Sequence, residues 1–132
     1  MVIDIGLEQH PDGTDYSTTA QILEQMNRRH NTGGTKHDSS KADLSLVPLV
    51  LIEATAKALM FGEQKYGRYN FRKGFPNHRL IAACLRHVLA YQDGEDLDPE
   101  SNLPHLAHAT ACIAMLLQCA KDGTLTETRY QK

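Results

Sequence analysis

From residue 44 onward, apolar positions recur at helical spacing, and nowhere in the chain do they alternate as a half-buried strand requires. Leu49, Ile52, Ala56 and Leu59 mark one repeating face of a helix expected from Leu44 to about Lys65, with Pro48 in its first turn. Asn77 can cap a further helix in which Leu80, Cys84, His87 and Tyr91 share a face while Arg79 and Arg86 lie on another. A last helix is expected up to about Lys121, where Gly123 stops it; Asp98 can cap it and Pro99 suits its first turn. Its stripe of Leu103, Leu106, Thr110, Ile113 and Leu117 adjoins a second of His105, His108, Cys112 and Met115. It is apolar nearly all round, which predicts a central position. Ahead of these, Ser17 or Thr18 can cap a shorter helix through Ile22, Leu23 and Met26 to the basic Arg28-Arg29-His30.

Helical segments without strands or repeats predict an all-α fold, a four- to five-helix bundle. We read residues 1–132 as one domain: an arm over 1–16 turned at Pro11-Asp12-Gly13, a loop over 31–43, a helical core over 44–121 and an exposed tail over 122–132. A chain of 132 residues is short for an enzyme that must enclose its substrate alone, so subunits are expected to complete a site. The formal charge of -2 gives no support to binding a nucleic-acid polymer. The chain has no apolar run of spanning length and no cleavable signal pattern, so we expect a soluble, intracellular protein with no membrane partner. Cys84, Cys112 and Cys119 fall in apolar helices and read as buried, reduced thiols. Cys84-x-x-His87 matches half of a zinc site, but the other two cysteines are spaced wrongly for the second half.

The densest candidate chemistry lies between Gly94 and Ala109, where Glu95, Asp96, Asp98 and Glu100 precede His105 and His108. The two histidines, three apart, point in neighbouring directions on one helix face and can reach one ion. Acids also favour helix N-termini for electrostatic reasons alone. Glu53 interrupts the apolar run Val50-Leu51-Ile52, where burial of a carboxylate needs a pair, a hydrogen bond or a metal; Lys57, four residues on, offers a surface ion pair. The inward acids and histidines of such a bundle are then Glu53, Glu95, Asp98, His105 and His108. Between residues 31 and 41, glycines, hydroxyls, Lys36 and Lys41 suit phosphate as well as a plain solvated linker. From Phe61 to Gly74, aromatics interleave with Lys65, Arg68, Arg72 and Lys73, and glycines at 62, 67 and 74 suggest helix end and loop. Arg86, in an apolar setting, calls for an anionic partner. His87 reads as a hydrogen-bonded core histidine.

The order Lys36-x-Asp38-x-x-Lys41, Glu53, Phe61-Gly62-x-x-Lys65-Tyr66-Gly67-x-x-Asn70-x-Arg72-x-Gly74, Arg86-His87, Gly94-Glu95-x-x-Asp98 and His105-x-x-His108-Ala109 resembles the phage dATP/dGTP diphosphohydrolases. These are similar to the all-α MazG-like nucleoside triphosphate pyrophosphohydrolases, and the resemblance is greatest to the MazZ group, which makes (d)GMP from (d)GTP. It implies a MazG-like bundle assembled as a homo-oligomer, dimer or tetramer. The implied reaction cleaves a purine nucleoside triphosphate between the α- and β-phosphates, with two or three Mg²⁺ or Mn²⁺ ions held by carboxylates. On this resemblance Glu53, Glu95 and Asp98 are the catalytic metal ligands, and Lys36, Lys41, Lys65, Asn70, Arg72 and Arg86 bind substrate.

One departure leaves the ligand set open. The superfamily pairs Glu-x-x-Glu on one helix with Glu-x-x-Asp on the next, but Glu53 is followed by Ala56. Glu95-x-x-Asp98 and His105-x-x-His108 each align with the second motif, so either pair can supply ligands. His37-Asp38 also raises an HD-type phosphohydrolase, although the dipeptide sits in a Gly/Ser loop. A non-catalytic helical nucleotide-binding or oligomerisation module is the third reading.

Overall fold

A computed structural model describes residues 19–30 and 33–132. The chain divides into two compact units, Met1–Ala42 and Asp43–Lys132. In the first unit, α1 runs over Thr19–His30, and residues 33–42 are irregular and exposed, with a turn closed by Lys41 N–H to the Asp38 carbonyl at 2.9 Å. The arm over 1–16 and the Ser17 or Thr18 cap lie outside the described residues.

The second unit is all-helical. Its long elements are α2 (Leu49–Tyr66), α3 (Asn77–Gln92) and α4 (His105–Asp122), and α4 packs against both α2 and α3. Single 3-10 turns occur at Leu44–Leu46 and Asn70–Lys73. Among the described residues there are no strands, only isolated bridges Pro76–Thr126 and Leu97–Pro104. No helix among them is long and apolar enough to cross a membrane.

Three helix boundaries differ from the sequence expectation for one reason. Each long helix of this unit starts immediately after a proline in extended conformation, Pro48, Pro76 or Pro104. Residues 44–46 therefore form a separate 3-10 turn, and Asn77 is the first helical residue rather than a cap. Asp98 and Pro99 lie in the preceding loop, so Asp98 does not cap α4. Gly62 sits inside α2, which ends only at Gly67, whose φ of 88° leaves the helical region.

The core is built from small side chains. Ala58 of α2 packs on Ala107 and Ala111 of α4, flanked by Ala54 and Leu59, and a hydrogen bond from Thr55 Oγ1 to Thr110 Oγ1 at 2.9 Å ties the same pair of helices. On α4 the buried residues are His105, Ala107, Ala109, Ala111, Cys112 and Cys119. The inward faces thus differ from those expected: Leu49 and Ile52 on α2, and Leu106, Ile113 and Leu117 on α4, are exposed. On helices apolar nearly all round, the spacing of large residues does not choose a face. Alanine against alanine does, by letting the backbones approach closely.

The segment after α4 is exposed but held. Thr126 N–H donates to the Phe75 carbonyl at 3.0 Å, Asn77 N–H to the Thr126 carbonyl at 3.1 Å, and Thr128 N–H to the side-chain oxygen of Asn77 at 3.3 Å. Gly74 makes this crossing possible: a Cβ there would stand 2.0 Å from the Thr124 carbonyl oxygen, and its φ is 102°.

Candidate functional site

The connection between α3 and α4 brings the acids of 94–100 back onto the start of α4. At the end of α3, Gly94 (φ 97°) donates to the Tyr91 carbonyl and Glu95 N–H to the Ala90 carbonyl, both at 3.0 Å, which is a Schellman closure. The chain then doubles back through Asp98 N–H to Leu103 O at 2.8 Å, Asn102 N–H to Asp98 O at 2.8 Å and His105 N–H to Asp96 O at 2.9 Å. Asn102 takes a left-handed conformation at φ 57°, which asparagine tolerates.

Three histidines meet where this loop joins the helices. His105 is 4% exposed, and both its ring nitrogens are engaged: Nε2 lies 2.8 Å from Glu95 Oε1 and Nδ1 lies 2.9 Å from Nδ1 of His87. The His87 ring stacks on His108 with centroids 4.7 Å apart, and Phe61 of α2 closes the cluster edge-on to His108 at 5.9 Å. Ser101 links His108 to Asp98. Its hydroxyl donates to Asp98 Oδ2 at 2.8 Å and accepts from His108 Nε2 at 2.6 Å, while its backbone N–H donates to the same carboxylate oxygen at 2.9 Å.

Burial holds the His87 and His108 imidazoles below the ordinary histidine value, with their mutual proximity adding to the effect at His87. Burial acts on Asp98 in the opposite direction, yet the two Ser101 hydrogen bonds and the nearby histidines outweigh it and bring its carboxyl below the usual value. At neutral pH His87 and His108 are thus neutral imidazoles beside the ionised Asp98 carboxylate.

A cavity of about 500 Å³ opens beside the cluster. His87 and His108 line it together with Arg68, Tyr69 and Asn70 from the segment after α2. The size falls within the usual range for small-molecule sites. The basic residues around it are tied mainly to acids: Lys65 to Glu100, Arg68 to Glu63 at 3.0 Å and Arg72 to Asp122 at 3.7 Å.

The other candidates are distributed differently. Glu53 is exposed and makes no ion pair with Lys57 or any other described residue. It precedes Phe61 by eight residues on α2, about 12 Å of helix rise. Arg86 is exposed and also without an ion pair among the described residues. Lys36 and Lys41 are exposed in the first unit, Lys36 lying 3.6 Å from Asp38. His37 and Asp38 are exposed in that irregular segment, without the helical setting of an HD centre. The zinc half-motif does not form a site either, since Cys84 Sγ donates to the Ala109 carbonyl at 3.7 Å.

Among the described residues, one group of three metal-capable side chains converges, His87, Asp98 and His105, with ligand atoms all within 4.8 Å of one another. Of these, His87 carries no ligand signal in the sequence, where it reads as a hydrogen-bonded core histidine. Its position on the Leu80-Cys84 face made it inward-facing, but nothing in the spacing announced that the loop would fold a second histidine against it.

The sequence profile of the dATP/dGTP diphosphohydrolase N-terminal domain matches residues 31–129. The chain belongs to that family. It is 45% identical over 96 residues to a dATP/dGTP diphosphohydrolase of Salmonella phage PMBT28, a match covering 73% of this chain and 33% of that relative. The chain therefore spans about a third of the length of the curated relative it matches. No solved structure matches this family member. The matched region includes the whole histidine cluster, its loop and the cavity.

Proposed function

We propose that this diphosphohydrolase-family domain hydrolyses purine nucleoside triphosphates, (d)GTP and also dATP, to the monophosphate and pyrophosphate, with a divalent metal ion and as a homo-oligomer in phage nucleotide metabolism. The observation that carries the reading is the cavity that joins neutral histidines to an aromatic wall carrying the Arg68–Glu63 pair. Tyr69 offers a ring for a base, and Arg68 and Asn70 offer donors for phosphate or sugar oxygens. Water would attack the α-phosphorus while the bond to the β-phosphate oxygen breaks, and Lys65, Arg72 and Arg86 are candidates to hold the departing pyrophosphate. Lys36 and Lys41 are candidate phosphate-binding residues by the motif order alone. The motif order favours the MazZ type, hence guanine.

The family-type carboxylate centre does not fit the single chain. Glu53 stands apart along α2, and Glu95 is bound to His105. No step is therefore assigned to ions held by Glu53, Glu95 and Asp98.

Assembly from copies of this chain has separate support. Leu49, Val50, Ile52, Leu85, Leu89, Leu106, Ile113 and Leu117 are all exposed, more large apolar side chains than a monomer commonly presents to water. A second copy offers the same apolar faces in return. The function is tested by incubating the full chain with individual NTPs and dNTPs and Mg²⁺, Mn²⁺ or Co²⁺ and identifying products. Monophosphate with pyrophosphate is expected. Nucleoside with triphosphate would favour HD-type chemistry, and no turnover would leave a binding module.

A further inference from the structure

We propose that His87, Asp98 and His105 bind one divalent first-row transition-metal ion, of the manganese-to-zinc class rather than magnesium, with Glu95 orienting His105 as a ligand. The proposal deepens the diphosphohydrolase reading, on which any catalytic use of the ion rests; binding itself stands or falls separately.

The donor atoms are arranged for it. A carboxylate oxygen only accepts, so Glu95 Oε1 at 2.8 Å requires the proton of His105 on Nε2. In the neutral ring this leaves the lone pair on Nδ1, which faces His87 Nδ1 at 2.9 Å. A carboxylate behind one ring nitrogen and a metal at the other is the recurrent arrangement of metal-bound histidine. With metal–nitrogen bonds of about 2.0–2.1 Å, two nitrogens at right angles on one ion stand about 2.9 Å apart. The spacing of the two rings is therefore that of adjacent ligands. His87 Nδ1 becomes a ligand when its proton moves to Nε2, with no net change in charge.

Asp98 supplies the third donor and is held in place independently. Both Ser101 hydrogen bonds go to its Oδ2, and its other oxygen accepts no hydrogen bond among the described residues. The ligand atoms of the group all lie within 4.8 Å of one another, near the roughly 4.2 Å between opposed ligands of one ion, so small side-chain rotations bring the three onto one ion. Two imidazoles and a single carboxylate suit manganese through zinc, whereas magnesium takes oxygen ligands and holds water in preference. His87 also lines the cavity, so an ion bound here adjoins the space assigned to the nucleotide.

Equilibrium dialysis of the full chain against Mn²⁺, Co²⁺, Zn²⁺ and Mg²⁺ tests the site, together with the visible absorption of Co²⁺ and electron spin-echo detection of ¹⁴N coupling to bound Mn²⁺. The expected result is one Co²⁺ or Zn²⁺ per chain, bound at least about tenfold more tightly than Mg²⁺, with imidazole nitrogen coupled to Mn²⁺. His87→Ala, His105→Ala and Asp98→Asn are each expected to weaken binding about tenfold or more with unchanged far-UV dichroism, while His78→Ala does not. Absence of nitrogen coupling in the unaltered protein, equal or tighter Mg²⁺ binding, or retention of the Co²⁺ spectrum in the folded variants would overturn the proposal. The nitrogen signal needs no variant, so loss of folding does not remove the test. Magnesium-supported hydrolysis without this binding would sink the site and leave the activity; binding without hydrolysis would do the reverse.

Discussion

The Glu95 carboxylate stands 2.8 Å from Nε2 of His105 across the join between the end of α3 and the start of α4. Glu95 is more than half exposed and His105 almost fully buried, so a solvent-facing acid sets the proton position of an interior ring. Glu95→Gln retains an acceptor oxygen but loses the charge that raises the basicity of His105. It is expected to lower Co²⁺ affinity about 10- to 100-fold without loss of helicity, measured by dialysis beside circular dichroism. Unchanged affinity would remove Glu95 from the site.

Two glycines should respond to alanine with opposite signs. At Gly74 the new Cβ would meet the Thr124 carbonyl oxygen in a backbone conformation side chains rarely adopt. Gly74→Ala should therefore cost about 2 kcal/mol or more, and lower the Tm by about 8 °C or more. Gly62 lies inside α2 with open space around its Cβ position; Gly62→Ala should add up to about 1 kcal/mol through helix propensity. Thermal unfolding of the two variants decides both.

The metal-free protein should lose stability on mild acidification. Burial keeps His87 and His108 below the ordinary value of 6.5 in the folded chain, so below that pH the unfolded chain binds more protons than the folded one. Stability is then level above about pH 7 and declines as pH falls from 6.5 through the lower folded values. Asp98, lowered from its ordinary 3.8, adds a further loss at more acidic pH. Denaturant midpoints across pH 4–8 should show this slope, and His87→Gln with His108→Gln should flatten its upper part.

Leu117 is 68% exposed on α4, so within one chain Leu117→Glu should change little. In an assembly closed by the apolar faces it buries a carboxylate without a partner. Light scattering after size exclusion should show an oligomer for the unaltered chain and a smaller species for Leu117→Glu. A monomer at micromolar concentration in the unaltered chain would reject the assembly.

Helix content and the all-α class were legible because they depend on local periodicity and on prolines and glycines that act where they stand. Helix starts were less so: Pro48, Pro76 and Pro104 each hold the position just before the first helical residue, whereas the sequence pattern places Pro48 inside the first turn and offers Asn77 and Asp98 as caps. The inward faces of α2 and α4 are not legible in the sequence because Leu49, Ile52 and Leu117 carry the stronger hydrophobic signal, whereas the contact forms between Ala58, Ala107 and Ala111. At the candidate site, Glu95, Asp98, His105 and His108 were visible as a sequence cluster. His87 was not, because its partner His105 comes near only through the Schellman turn at Gly94 and the reversal at Asn102. That encounter is tertiary and has no spacing rule.

The bonds from Thr126 and Thr128 to Phe75 and Asn77 have a temporal consequence. During synthesis α3 emerges roughly fifty residues before the segment that satisfies the first amide of that helix, and Asn77 is buried in the finished unit. On the ribosome the N-terminal turn of α3 therefore waits, open to exchange and to holdase chaperones, until Thr126 has left the exit tunnel. Slow amide exchange at Asn77 would mark the moment at which the second unit closes.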